Sequence, residues 1–248
     1  MEYEQKGLFD EEYPKYEITN KIRLIELFAG ISAQSMALKR LGVDFERHRA
    51  IEFDDFAMKS YNAICGTAFK PTDIRDIHAA DLGITERDKY TYIMTYSFPC
   101  QALSLAGKQA GMTEGSGTTS SLLWEVRRLL SECGDDLPQI LVMENVTQVY
   151  SEKNLPDFEK WIKFLRDLGY SNFYQALNAK DFGVPQNRDR CFMVSMLGKY
   201  DYEFPRPIPL EKVIVDVLED DVDEKFFIRN EKAQLLIDQL IKDGKIEG

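Results

Sequence analysis

From residue 22 to residue 197, apolar runs of strand length alternate with amphipathic stretches of helical period. Residues 22–28 form a β-branched and aromatic run ending at Ala29-Gly30, followed by SAQSMALKRLG, a helical stretch that Gly42 stops. Residues 49–53 predict a second short strand, and a helix follows from Asp54 to about Ile64. Residues 90–98 and 139–144 have the length and composition of buried strands, with an amphipathic segment over 122–133 between them. A helix over 157–168, a strand near 173–178 and a buried strand over 189–197 complete the series. Such alternation predicts an α/β fold built on a doubly wound, mostly parallel sheet.

The Pro-rich connector FPRPIPL leads into an acidic, weakly helical tail and predicts a boundary near residue 205. The expected organisation is an acidic extension over 1–20, a catalytic domain over 21–204, and a connector with tail over 205–248. Charge sharpens this division. Residues 1–20 carry −4 and residues 216–248 carry −5 of the formal −11, leaving only −2 for 21–215. A net acidic chain argues against an autonomous nucleic-acid binder, but here the acidity belongs to the ends.

The first twenty residues lack the apolar core of an export signal, and no stretch approaches the ~20 apolar residues that span a bilayer. Four cysteines far apart and two histidines make no zinc constellation, so no metal is expected. Unpaired thiols without an export signal predict a cytoplasmic protein with no membrane partner.

Candidate chemistry gathers where strands end. In LFAGIS, Gly30 stands where the first strand turns into a helix, and backbone can there approach a ligand. The fingerprint G-x-G-x-x-G is absent, which argues against a pyrophosphate cradle. Glu52, 22 residues past Gly30, ends the second strand, a position that hydrogen-bonds ribose hydroxyls in such folds. With Asp73 in KPTDI, this pattern fits an adenosine-containing cofactor without a diphosphate, and S-adenosylmethionine answers that description.

Cys100 follows a buried strand in the loop SFPCQALSLAGKQAG, a poor place to hide a small hydrophobe and a good one for a nucleophile. Cys191 and Cys65 read instead as inert core thiols. Glu144 closes the run QILVMENV, where a carboxylate is costly unless paired or used. Arg188 and Arg190 in QNRDR, two apart in extended chain, point to one side and can bind phosphate or hold Glu144. Neither His48 nor His78 is placed to make Cys100 a protease nucleophile.

Together these segments resemble, in order, the motifs of the cytosine-5 DNA methyltransferase family over roughly residues 21–200. LFAGIS is similar to the family's cofactor loop, SFPCQALSLAGKQAG to its nucleophile loop, and Glu144-Asn145-Val146 to its ENV motif. Gln186-Asn187-Arg188-Asp189-Arg190 is similar to its QxRxR motif, and SSLLWE to the helix start whose leucine lies against the cofactor. The resemblance implies a Rossmann-like methyltransferase fold. It implies that S-adenosylmethionine is the cofactor and S-adenosylhomocysteine the product. Phe28, Ala29, Gly30, Ile31, Ser32, Glu52, Phe53, Asp73, Ile74, Pro99 and Leu122 would hold it. Catalysis would rest on Cys100, Glu144, Arg188 and Arg190, with Gln101, Ser104, Asn145 and Gln186 against the substrate. That substrate would be a cytosine flipped out of double-stranded DNA.

Two departures stand out. Ser32-Ala33 replaces a small pair that usually ends in glycine, from which a modest effect on cofactor fit is expected. FFIRNEKAQLLI resembles the segment before the family's target-recognition domain, and neither that domain nor the last two motifs is recognisable after it. The expectation is a catalytic portion that is completed by a second polypeptide or belongs to a truncated chain. A degenerate, non-catalytic binding protein of the same fold is one alternative. A tRNA-directed cytosine-5 methyltransferase is the other.

Overall fold

The computed structural model describes residues 12–103, 111–227 and 230–245. Residues 1–11 of the acidic extension, 104–110 of the nucleophile loop and 228–229 of FFIRNEKAQLLI lie outside these. Among the described residues, six strands form one sheet: β1 (Lys21–Leu27), β2 (Phe45–Ile51), β3 (Tyr90–Tyr96), β4 (Ile140–Asn145), β5 (Tyr170–Asn178) and β6 (Asp189–Leu197). Their spatial order is β2-β1-β3-β4-β6-β5. β2, β1, β3 and β4 pair in parallel, whereas β6 runs antiparallel to both β4 and β5. The sheet is therefore mostly parallel, as expected, with a single reversed strand.

That reversal has a plain cause. Only residues 179–188 connect β5 to β6, too few for the helical crossover that a parallel pair needs. Its effect is to bring the start of β6 to the same edge as the ends of β1, β3 and β4. Glu144 pairs with Phe192 and Asn145 with Cys191 across the β4–β6 ladder.

Helices cover both faces, because alternate residues of the interior strands point to opposite sides and both sets are apolar. On one face, Ile25, Leu27, Tyr92, Met94, Leu141, Met143 and Met193 form the main core. They pack there with α3 (Ala79–Leu82), α4 (Leu123–Glu132) and α5 (Leu155–Asp167). The other face carries Ile22, Leu24, Ile93, Ile140 and Met196, with Leu38 of α1 (Ala33–Arg40) against them. Met58 and Tyr61 of α2 (Asp55–Cys65) pack on Ala29 and Ala50.

Local signals set the boundaries. Asp54 caps α2 by accepting from the Ala57 N–H at 2.7 Å, and Gly66 ends it in the left-handed conformation. The second strand is longer than the predicted 49–53 and ends sooner, at Ile51. Its first residues, Phe45-Glu46-Arg47-His48, are polar enough to hide the strand, and an edge position tolerates them. β5, the other edge, likewise starts three residues before the predicted 173. In the tail, α6 (Glu231–Lys242) is capped by Asn230 and has no buried residue; Leu235, Leu236 and Ile237 are exposed.

Candidate active site

A cavity of ≈ 620 Å³ opens at the edge where β1, β3 and β4 end and β6 begins. Phe28, Glu52, Phe53, Asp73, Ile74, Pro99 and Leu122 line it together with Cys100, Gln101, Glu144, Asn145, Arg188 and Arg190. Thirteen predicted residues, Cys100, Glu144 and both arginines among them, thus reach one concavity.

Cys100 is held by its backbone surroundings. The fully buried Ser120 hydroxyl donates to the Pro99 carbonyl at 2.7 Å and accepts from the Ala102 N–H at 3.3 Å, bridging the two sides of the cysteine. The buried Asn145 side chain donates to the Phe98 carbonyl at 2.9 Å, tying this loop to the end of β4. Asn145 also accepts from the Val146 N–H, so its amide holds backbone as well as lining the cavity. Glu144 faces Arg190, with Nε 3.0 Å from Oε1. Neither side chain is more than about a quarter exposed, at 21% for arginine and 27% for glutamate. Arg188 enters the wall one residue before β6, where the Asn178 side chain accepts from its N–H at 3.1 Å.

At the other end of the cavity stand two carboxylates. Glu52 accepts from the Gly30 N–H at 3.0 Å through one oxygen and from the Asp54 N–H at 2.9 Å through the other. Asp73 accepts from the Arg75 N–H and pairs with its guanidinium at 2.5 Å; that hydrogen bond holds the carboxyl below its ordinary range. The adjoining Ile74 and Ile77 carbonyls both accept from Arg128 of α4, at 3.0 and 2.9 Å.

The cofactor-loop residues divide. Phe28 lines the cavity, whereas Ala29, Gly30, Ile31 and Ser32 do not. Ala29 is packed in the core, Ile31 is exposed, and Ser32 is fully buried. Gly30 contributes through its N–H, which engages Glu52. A backbone amide facing a carboxylate cannot cradle a diphosphate, which agrees with the missing dinucleotide fingerprint. Gln186 is exposed and away from the wall, and Ser104 lies outside the described residues.

Thr72, Arg75, Ser97, Phe98, Thr118 and Thr119 also line the cavity and were not foreseen. Their signal was adjacency: Thr72 lies within KPTDI, and the others flank KPTDI, Pro99-Cys100 and SSLLWE. The remaining thiols fit the inert reading in part. Burial pushes Cys191 up to about 12 and Cys133 up to about 11. Cys65 is half-buried and bonded, its thiol donating to the Ser32 hydroxyl at 2.9 Å. Among the described residues, no group of three or more potential ligands could hold a metal ion, and no helix is long and apolar enough to cross a membrane.

An open, mostly parallel sheet with a thiol, a carboxylate–arginine pair and two further acids around one cavity at its strand ends has the Rossmann-like architecture of methyltransferases. The profile of the C-5 cytosine-specific DNA methylase family matches residues 22–245, and the chain belongs to that family. It is 43% identical over 140 residues to the Type II methyltransferase M2.ScrFI of Lactococcus lactis subsp. cremoris, covering 56% of this chain and 38% of that one. It is 42% identical over 183 residues to the orphan methyltransferase M.SssI of Spiroplasma monobiae, covering 71% and 45% respectively. The chain therefore spans less than half the length of these two relatives. Among solved structures, S. pombe Dnmt2 methyltransferase superposes with a TM-score of 0.68 at 22% identity, over 89% of this chain and 66% of that one. That likeness concerns the fold.

Proposed function

We propose that the chain carries the catalytic machinery of a DNA (cytosine-5)-methyltransferase. The observation that carries this reading is the Arg190–Glu144 pair on the wall it shares with Cys100, in a cavity whose far end holds Glu52 and Asp73. The cavity suits S-adenosylmethionine: two acids face where ribose and adenine polar groups would lie, and Phe28, Ile74 and Leu122 offer apolar surface. When bound, S-adenosylmethionine supplies an electrophilic methyl group.

Every other step belongs to this chain. Carbon 5 of cytosine is a weak nucleophile, and addition of the Cys100 thiolate to carbon 6 makes it enamine-like. Glu144 holds the exocyclic amine and shares a proton with ring nitrogen 3, so that negative charge does not accumulate on the ring. Arg190 fixes the carboxylate of Glu144, and Arg188 stands beside it as a second cation. Once carbon 5 carries the methyl group, solvent water takes its proton, the C–H electron pair restores the double bond between carbons 5 and 6, and the bond from carbon 6 to Cys100 breaks with its pair returning to sulfur as thiolate. The base must leave the duplex to reach the cavity.

That a second polypeptide or a missing C-terminal part carries the recognition domain and last motifs is part of this proposal. The apolar side chains of α6, exposed to between 40% and 62% at Ile237, Leu236 and Leu235, support a covering partner. Four cysteines without a disulfide suit a cytoplasmic setting.

The test uses duplex DNA containing 5-fluorocytosine, with S-adenosylmethionine and a complementing fragment from a relative. A denaturant-resistant adduct that Cys100→Ser abolishes is expected. Absence of both adduct and methyl transfer, with Cys100→Ser behaving like the wild type, would replace this reading with that of a non-catalytic binding protein. Equal trapping on tRNA would redirect the substrate assignment.

A further inference from the structure

Alternate residues of the loop between β1 and α1 have left-handed backbone: Phe28 at φ 57°, Gly30 at 53° and Ser32 at 78°. Glycine adopts this conformation freely; a serine does not, and persists there only when its surroundings hold it. Ser32 is fully buried and occupies the N-cap of α1, yet its hydroxyl makes no capping bond. That hydroxyl accepts instead from the thiol of Cys65, the last residue of α2, at 2.9 Å.

Behind this contact lies a buried polar chain. The Ser35 N–H donates to Glu26 Oε1 at 3.3 Å, the Tyr61 hydroxyl donates to Glu26 Oε2 at 2.5 Å, and Arg47 Nε donates to the Ser35 hydroxyl at 2.6 Å. The first turn of α1 is thus tied to β1, β2 and α2. Ser32 itself is held by its backbone, whose N–H donates to the Ala29 carbonyl and whose carbonyl accepts from the Met36 N–H, both at 3.0 Å, and at its side chain by the bond from Cys65. Immediately upstream, Phe28 forms cavity wall and the Gly30 N–H orients Glu52.

We propose that Cys65 is a positioning residue of the cofactor loop, its hydrogen bond to Ser32 latching the arc from Phe28 to Ser32 in the geometry that shapes the pocket. This rests on reading the cavity as the S-adenosylmethionine site. It also accounts for a serine at a left-handed position: the latch compensates for the conformation that serine resists, and a glycine there would not need it.

The test is a mutant cycle on the full chain, read in two ways. Hydrogen exchange of the amides in residues 29–33 reports the loop directly, and calorimetric titration with S-adenosylhomocysteine reports the pocket. Cys65→Ala is expected to speed exchange and weaken binding by about fivefold, the equivalent of one net hydrogen bond. Cys65→Ser, which keeps a donor, should restore both. In a Ser32→Gly background, Cys65→Ala should change neither. The proposal is overturned if Cys65→Ala leaves exchange unchanged, or if its effect persists undiminished beside Gly at 32, since Cys65 would then act by packing alone. If the wild type does not bind S-adenosylhomocysteine, the cofactor reading fails separately, and exchange still decides the latch. A poorly folded Cys65→Ala leaves Cys65→Ser and Ser32→Gly to decide: unequal exchange between Cys65→Ser and wild type overturns it.

Discussion

Arg190 reaches Glu144 across two neighbouring strands that run in opposite directions, its Nε 3.0 Å from a carboxylate that ends β4. The strand pairing sets this contact, because β4 delivers an acid from its last turn of ladder and β6 delivers a base from its first. Arg190→Ala should lower methyl transfer about 100-fold, in the range of a lost positioned electrostatic partner. A partly exposed pair contributes about 1 kcal/mol or less to stability, so unfolding by denaturant should change little. Arg190→Lys should recover only part of the rate, since a point charge does not reproduce the planar guanidinium. Single-turnover rates set beside denaturation curves check all three.

Ser120 is expected to act through the Cys100 loop. Ser120→Ala leaves the Pro99 carbonyl and the Ala102 N–H without their shared partner, which costs about 1–3 kcal/mol for buried groups. The turnover number should fall more than affinity for S-adenosylhomocysteine, and alkylation of Cys100 by iodoacetamide should change rate. An unchanged turnover number with lowered stability would reduce Ser120 to a scaffold residue.

Arg128 links α4 to the segment behind Asp73 through the carbonyls of Ile74 and Ile77. Arg128→Met keeps much of the side chain's bulk and removes those bonds. S-adenosylhomocysteine binding should weaken by about tenfold, the effect of losing 1–2 net hydrogen bonds to a charged donor. Competition titrations with adenosine would locate the loss at the adenine end; an equal affinity for adenosine in mutant and wild type would place it elsewhere.

Glu26 gives the fold a pH dependence of defined sign. Burial raises its carboxyl above the ordinary value of 4.5, against the opposing hydrogen bonds from Tyr61 and Ser35. The folded state thus binds this proton more tightly than the unfolded chain, and stabilisation is complete below about 4.5 and lost as pH rises through the folded value. Measured by urea unfolding from pH 4 upward, the stability of wild type relative to Glu26→Gln should decline with rising pH. A flat difference would mean that the carboxylate is fully compensated where it lies.

The strands legible from sequence were those buried on both faces. β3 and β4 are nearly continuous apolar runs and β1 and β6 keep apolar cores, whereas β2 carries Glu46-Arg47-His48 and β5 contains Ser171-Asn172, edge positions whose polarity conceals them. The direction of β6 was not legible, because periodicity carries no sense of direction. Cys100, Glu144 and Arg190 announced themselves as reactive groups at the ends of apolar runs. Ser120 did not: a serine in TTSSLLWE looks like any loop hydroxyl until its two backbone partners are seen. Nor did Ser32, since its significance lies in a positive φ that no spacing encodes.

β5 occupies the outer edge of the sheet, and β6 lies inside it between β5 and β4. Edge strands are the first to open in local fluctuations, while interior strands open only in larger, rarer events. The hairpin order therefore makes β5 a sacrificial margin. It can open locally while the strand bearing Arg190 keeps its ladder with β4 and its guanidinium stays on station.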